Sequence, residues 1–204
     1  KIMFELPEKN DRKEIFYHYL NKLELDKDPE EIAANLSKLS FGFSGADIAN
    51  ICNEACILSV RKDLNIITED ILKEAIDHVI LGPEKKTFKL SDRERKTVAY
   101  HEAGHTVVAY VLENTTNPIK VSIMPRGKSA LGFSQRELPE NKLRTKEELL
   151  DDICVLLGGR VAEEIYIGKI TTGASDDIQK LTQLGYNYVS IYGMDEEVST
   201  INYY

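Results

Sequence analysis

Apolar positions between residues 11 and 81 recur every three or four places in short runs, each opened by a helix-capping residue and closed by a breaker. Asp11 and Glu14 stand at capping-box spacing ahead of a run that ends near Leu25. Pro29 opens a short helix through Leu39. Ser44 and Asp47 form the next box, followed by Ile48, Ile51, Ala55 and Leu58 at helical spacing. Thr68 caps a fourth run, which Gly82-Pro83 stops. Four helices with short loops predict a small bundle.

The charged segment GPEKKTFKLSDRERK, residues 82–96, carries a Gly-Pro break and marks a domain boundary, giving domains 1–82 and 83–204. Ser91 and Glu94 then start a helix that runs to about Glu113. Ile119, Val121 and Ile123 alternate with polar residues, Pro125-Arg126-Gly127 turns the chain, and Leu131 to Gln135 returns as a second strand. Thr145 and Glu148 cap a long helix whose Gly158-Gly159 pair marks close helix packing, since two glycines are otherwise costly there. A last helix begins near Ser175. The expected fold class is mainly α: a four-helix bundle followed by a mostly helical domain with a small β-hairpin.

Composition narrows the function. With 204 residues, 42% of them hydrophobic and 29% charged, the chain buries a real core. A net charge of -8 excludes a nucleic-acid binder, which needs clustered Lys and Arg against phosphate. No apolar run approaches the ~20 residues that span a bilayer, and no signal-peptide pattern is present, so membrane attachment is expected through segments outside this stretch. Three cysteines close no disulfide framework. Cys52, Cys56 and Cys154 all read as small core residues, which favours a reducing compartment.

Two of the four histidines stand four residues apart in HEAGH, residues 101–105. On a helix, such residues differ by about 40° around the axis and about 6 Å along it, so both imidazoles reach one Zn²⁺ at ~2.1 Å. Glu102, about 100° round from His101, is placed to take a proton from the attacking water and return it to the leaving amine. A catalytic zinc needs a third protein ligand. The metzincin extension requires glycine at 108 and histidine at 111, and both are valine. PRGKSALG supplies no thermolysin-like acid, and Glu113 lies about 12 Å up the same helix. Two pairs remain open: Glu163/Glu164 on the long helix, and Asp176/Asp177 at a helix start, where the dipole keeps a carboxylate ionised. Gly127-Lys128-Ser129 mimics the end of a phosphate-binding loop, but the full pattern needs glycine at Ser122 and a helix where LGF follows.

TVAYHEAGHTVVAYV, KVSIMPRG, LGGRVAEEI and TTGASDD, in this order, closely resemble the membrane-anchored ATP-dependent zinc proteases of the FtsH type, above all the m-AAA branch of the mitochondrial inner membrane. FSGADIANICNEA resembles the helical lid of the same family's AAA+ ATPase module, so the likeness covers nearly the whole chain. It implies that residues 1–82 are an AAA+ lid and 83–204 a zinc-metallopeptidase domain, truncated at its C-terminus. It also implies zinc on His101, His105 and Asp177, with Glu102 as general base, and a nucleotide contact at Ser44, Gly45 and Ala46. The implied setting is a homo- or hetero-hexamer using ATP and Mg²⁺ to feed unfolded or membrane polypeptides to the peptidase. A strand within Met124 to Gln135 then accepts substrate backbone by β-addition. Walker motifs, pore loop, arginine finger and membrane segments are absent, so this stretch is expected to be a fragment that does not hydrolyse ATP. The alternative function is a catalytically idle ring-building or adaptor member, against which the intact HEAGH speaks.

Overall fold

The computed structural model describes residues 5–82, 90–125, 131–136, 143–198 and 200–203. The chain divides into two compact units, one taking in residues 5–82 and the other the described residues from 90 onward.

The first unit holds α1 (Lys9–Leu20), α2 (Pro29–Leu39), α3 (Gly45–Arg61) and α4 (Glu69–Leu81). Local caps start three of them, at Ser44 and Thr68 as the sequence predicts and at Asp28 just ahead of the expected Pro29. Asp28 Oδ1 accepts from Glu30 N at 3.2 Å, Ser44 Oγ from Asp47 N at 3.3 Å, and Thr68 Oγ1 from Ile71 N at 3.4 Å. α1 departs from the expected span at both ends. Its start lies before Asp11, whose carboxylate turns back to accept from Glu8 N at 3.1 Å. It stops at Leu20, because the chain near Leu25 is drawn into a parallel bridge with Ile67, whose N–H donates to the Glu24 carbonyl at 2.9 Å. Phe16, Leu20, Ile32, Leu36, Ile48, Ile51, Leu72 and Ile76 fill the core, none more than 2% exposed. Each such side chain stabilises the fold by ~1.5–3 kcal/mol, so apolar burial holds this unit together. Cys52 joins that core, and burial first, then Cys56, pushes its thiol up to about 12.

The second unit runs α5 (Asp92–Val111), β1 (Pro118–Ser122), β2 (Phe133–Arg136), α6 (Lys146–Ile167), a 3₁₀ turn (Thr172–Ala174) and α7 (Ser175–Tyr186), ending in a π turn (Asn187–Ile191). Ser91/Glu94 and Thr145/Glu148 form reciprocal capping boxes on α5 and α6. β1 and β2 pair antiparallel, Val121 opposite Ser134 and Ser122 opposite Phe133. The expected turn at residues 125–127, the Gly127-Lys128-Ser129 tract and residues 83–89 of the charged segment fall wholly or largely outside the described residues. Among those described, no helix is long and apolar enough to cross a membrane.

α6 buries Val155, Gly158, Gly159, Ala162 and Glu163, one stripe at helical spacing. Cys154, expected in the core, is exposed, since it lies about 100° round from Val155. α5 turns Thr97, His101, Glu102, His105 and Ala109 inward. The two helices cross so closely that a Cβ on Gly104 would strike the Gly158 carbonyl, and one on Gly158 would stand 2.8 Å from the Gly104 oxygen. That approach offsets the ~1 kcal/mol a helical glycine costs.

Candidate metal centre

One turn of α5 brings the Nε2 atoms of His101 and His105 to 3.1 Å from each other. Asp177, in the first turn of α7, sets Oδ2 at 3.2 Å from His101 Nε2 and 3.4 Å from His105 Nε2. Tetrahedral zinc with arms of ~2.0–2.1 Å has edges of about 3.3 Å between donors, so the three separations fit. Among the described residues this is the one cluster of His, Cys, Asp and Glu whose donors converge in this way.

The second nitrogen of each ring is already engaged. His101 Nδ1 lies 2.7 Å from Glu163 Oε1, and His105 Nδ1 lies 2.7 Å from the Val155 carbonyl oxygen. Both partners are acceptors, which assigns the proton to Nδ1 and leaves the Nε2 lone pairs facing Asp177. Glu163 is 1% exposed, and its other oxygen accepts from Thr171 N at 2.7 Å. A single buried carboxylate therefore braces a histidine ring and the loop that leads to Asp177. Beneath the rings lies Gly159, where a Cβ would stand 2.6 Å from each Nε2. Its missing methyl leaves free the space on which the three donors converge. The donor set and that space together fit a zinc ion.

Electrostatics follow from burial among opposite charges. Burial is the largest influence on Asp177 and favours its neutral form, but hydrogen bonds to His101 and His105 override it and hold the carboxyl well below its usual range. For His101, burial again acts first and against the charge, and the bonds to Asp177 and Glu163 raise the pKa on balance. Glu102 moves the other way: burial raises its pKa against the pull of His105 and His101, and Asp177 adds to the rise.

The other residues singled out in the sequence stand apart. Asp176 and Glu164 are exposed. Ser44, Gly45 and Ala46 sit at the start of α3 in the first unit, where the Ser44 hydroxyl is held by Asp47 at 2.6 Å. His18 lies beside Lys22, and His78 pairs with Glu54 at 3.1 Å. Glu163, a candidate ligand by sequence, instead braces His101 and Thr171 from outside the donor set. The signal was there in part: the spacing of Val155, Gly158, Gly159 and Ala162 puts Glu163, and not Glu164, on the buried stripe.

The model of peptidase family M41 matches residues 88–204, over half of the chain. The chain belongs to peptidase family M41. Ahead of the M41 region, residues 26–74 match the AAA+ lid domain. Over 203 residues the chain is 47% identical to an ATP-dependent zinc metalloprotease, FTSH 3, mitochondrial, of Oryza sativa subsp. japonica, covering 100% of this chain and 25% of the relative. It is 48% identical over 205 residues to the mitochondrial inner membrane m-AAA protease component AFG3L2 of Mus musculus, with the same coverage. An ATP-dependent zinc metalloprotease FtsH of Parabacteroides distasonis is 41% identical over 204 residues, 100% of this chain and 29% of that protein. This M41 chain thus spans about a quarter of the length of these relatives.

Proposed function

We propose that residues 1–82 are the lid and residues 83–204 the zinc-peptidase domain of an ATP-dependent metalloendopeptidase that degrades unfolded or membrane polypeptides. One observation carries the reading: His101, His105 and Asp177 converge on one space, and Glu102, buried on the same helix, is near enough to feel the charge of all three. On this reading His101 Nε2, His105 Nε2 and the Asp177 carboxylate hold zinc. A bound zinc ion supplies Lewis acidity that polarises a peptide carbonyl and makes water more acidic. Glu102 takes the proton of the attacking water and returns it to the leaving nitrogen. Glu163 and the Val155 carbonyl keep both rings in the ligating tautomer. The edge of β2 receives substrate backbone by strand addition, which reads little side-chain sequence.

The wider setting proposed is a homo- or hetero-hexameric ring using ATP with Mg²⁺; the relatives' names, ATP-dependent in one and mitochondrial inner membrane component in another, support the ATP dependence and that membrane. Another organelle or a bacterial inner membrane is the alternative, which the bacterial relatives keep open. A nucleotide contact from Ser44, Gly45 and Ala46 belongs to the same proposal. In the full-length protein, Glu102→Gln should retain zinc and lower ATP-dependent casein cleavage by about 10²–10⁴-fold. Wild-type turnover by that variant refutes the role of Glu102. A wild-type protein that binds no zinc and cuts nothing points instead to an idle ring-building member.

A further inference from the structure

Immediately before β2, the main chain at Gly132 presses on the side chain read above as the general base. A Cβ built at Gly132 stands 2.8 Å from Glu102 Oε1, 2.9 Å from Glu102 Cγ and 2.8 Å from Val98 Cγ1, all inside ordinary van der Waals contact. Bare backbone therefore walls one side of Glu102, and no other residue type leaves the carboxylate where it is. The strand that carries this wall is fastened to the same helix. Thr106 Oγ1 lies 3.3 Å from Ser134 Oγ and donates to the Glu102 carbonyl at 2.8 Å. At its far end Arg136 pairs with Asp152 of α6 at 2.9 Å. Fastened at Ser134 and Arg136 and paired with β1, the strand resists backing away from an added methyl group. The carboxylate, at the free end of a flexible side chain, is what must give.

We propose that Gly132 is a positioning residue for the general base: its main chain, fixed by the Thr106–Ser134 contact, sets where the Glu102 carboxylate stands. The inference rests on the reading of Glu102 as the base. Misplacing a catalytic group by about 1 Å costs on the order of 10²-fold in rate.

The test is Gly132→Ala in the full-length, zinc-loaded protein, with labelled casein and ATP, alone and combined with Glu102→Gln. The single variant should keep its zinc and its KM and lose about 100-fold in kcat. In the Glu102→Gln background the same change should leave the residual rate unaltered, because the group it acts through is already disabled. Undiminished kcat in the single variant, or an equal loss in both backgrounds, overturns the proposal. A crippled Glu102→Gln with a fully active Gly132→Ala removes this inference alone, whereas wild-type turnover by Glu102→Gln removes the base reading with it. If Gly132→Ala does not fold, Ser134→Ala loosens the strand without adding bulk. It should lower kcat about three- to tenfold at constant KM and zinc content, and an unchanged kcat there also overturns the proposal.

Discussion

Replacing Gly159 with alanine would put a methyl carbon 2.6 Å from His101 Nε2, His101 Cε1 and His105 Nε2, where ordinary contact begins at 3.4 Å. Something must move by about 0.8 Å, roughly four times the ±0.2 Å tolerance of metal–ligand distances. α6 cannot withdraw without opening the Gly104–Gly158 crossing and moving its own hydrogen-bonding partners of the rings. The rings must yield, and each is pinned at Nδ1 by a 2.7 Å bond to α6. Losing or stretching one neutral and one charge-assisted bond costs about 2–4 kcal/mol. Zinc affinity should fall by about 30- to 1,000-fold, at 1.4 kcal/mol per factor of ten. A competition titration against a chromophoric chelator measures that loss, with circular dichroism to show retained helix. Gly185→Ala is the control: nothing lies within 4 Å of a Cβ there, so zinc binding should be unchanged. Parental zinc affinity in a natively folded Gly159→Ala would refute the reasoning.

Glu163→Gln keeps the shape but replaces one of the two acceptor oxygens by an NH₂ donor, so it can brace His101 or Thr171 but not both, and should weaken zinc binding about 10- to 100-fold by the same titration. In the first unit, hydrogen bonds from Lys27 and Lys73 hold the Glu69 carboxyl down to about 2 from its ordinary 4.5. The unfolded chain takes up that proton near 4.5, so the stability from this cluster is complete above about 4.5 and is lost as pH falls towards 2. With both lysines half exposed to solvent the contribution is about 1 kcal/mol, and the stability gap between the parent and Glu69→Gln in urea should close as pH falls from about 4.5 to 2.

What the sequence reveals most clearly is what is local. The boxes at Ser44/Asp47, Ser91/Glu94 and Thr145/Glu148 are short hydrogen-bonded motifs, and the structure starts three helices on them. The misplaced ends of α1 show the limit, because Asp11 fits an i, i+3 box with Glu14 as well as it fits one with Glu8. Only the bridge to Ile67, distant in sequence, explains why the helix stops before Leu25. The histidine pair is legible for the same local reason. Asp177 is not distinguishable from Asp176 by spacing, since two adjacent residues differ by about 100° and the choice depends on where α7 points. Nothing local announces that residue 132 lies against Glu102, because Gly132 meets α5 only through the tertiary fold.

Anomalous diffraction at the zinc edge from crystals of the zinc-loaded full-length protein tests the metal centre most directly. The expected result is a peak ~2.0–2.2 Å from His101 Nε2, His105 Nε2 and an Asp177 carboxylate oxygen. A peak held by Asp176 or Glu164 in place of Asp177, or the absence of any peak at the two rings, would contradict it.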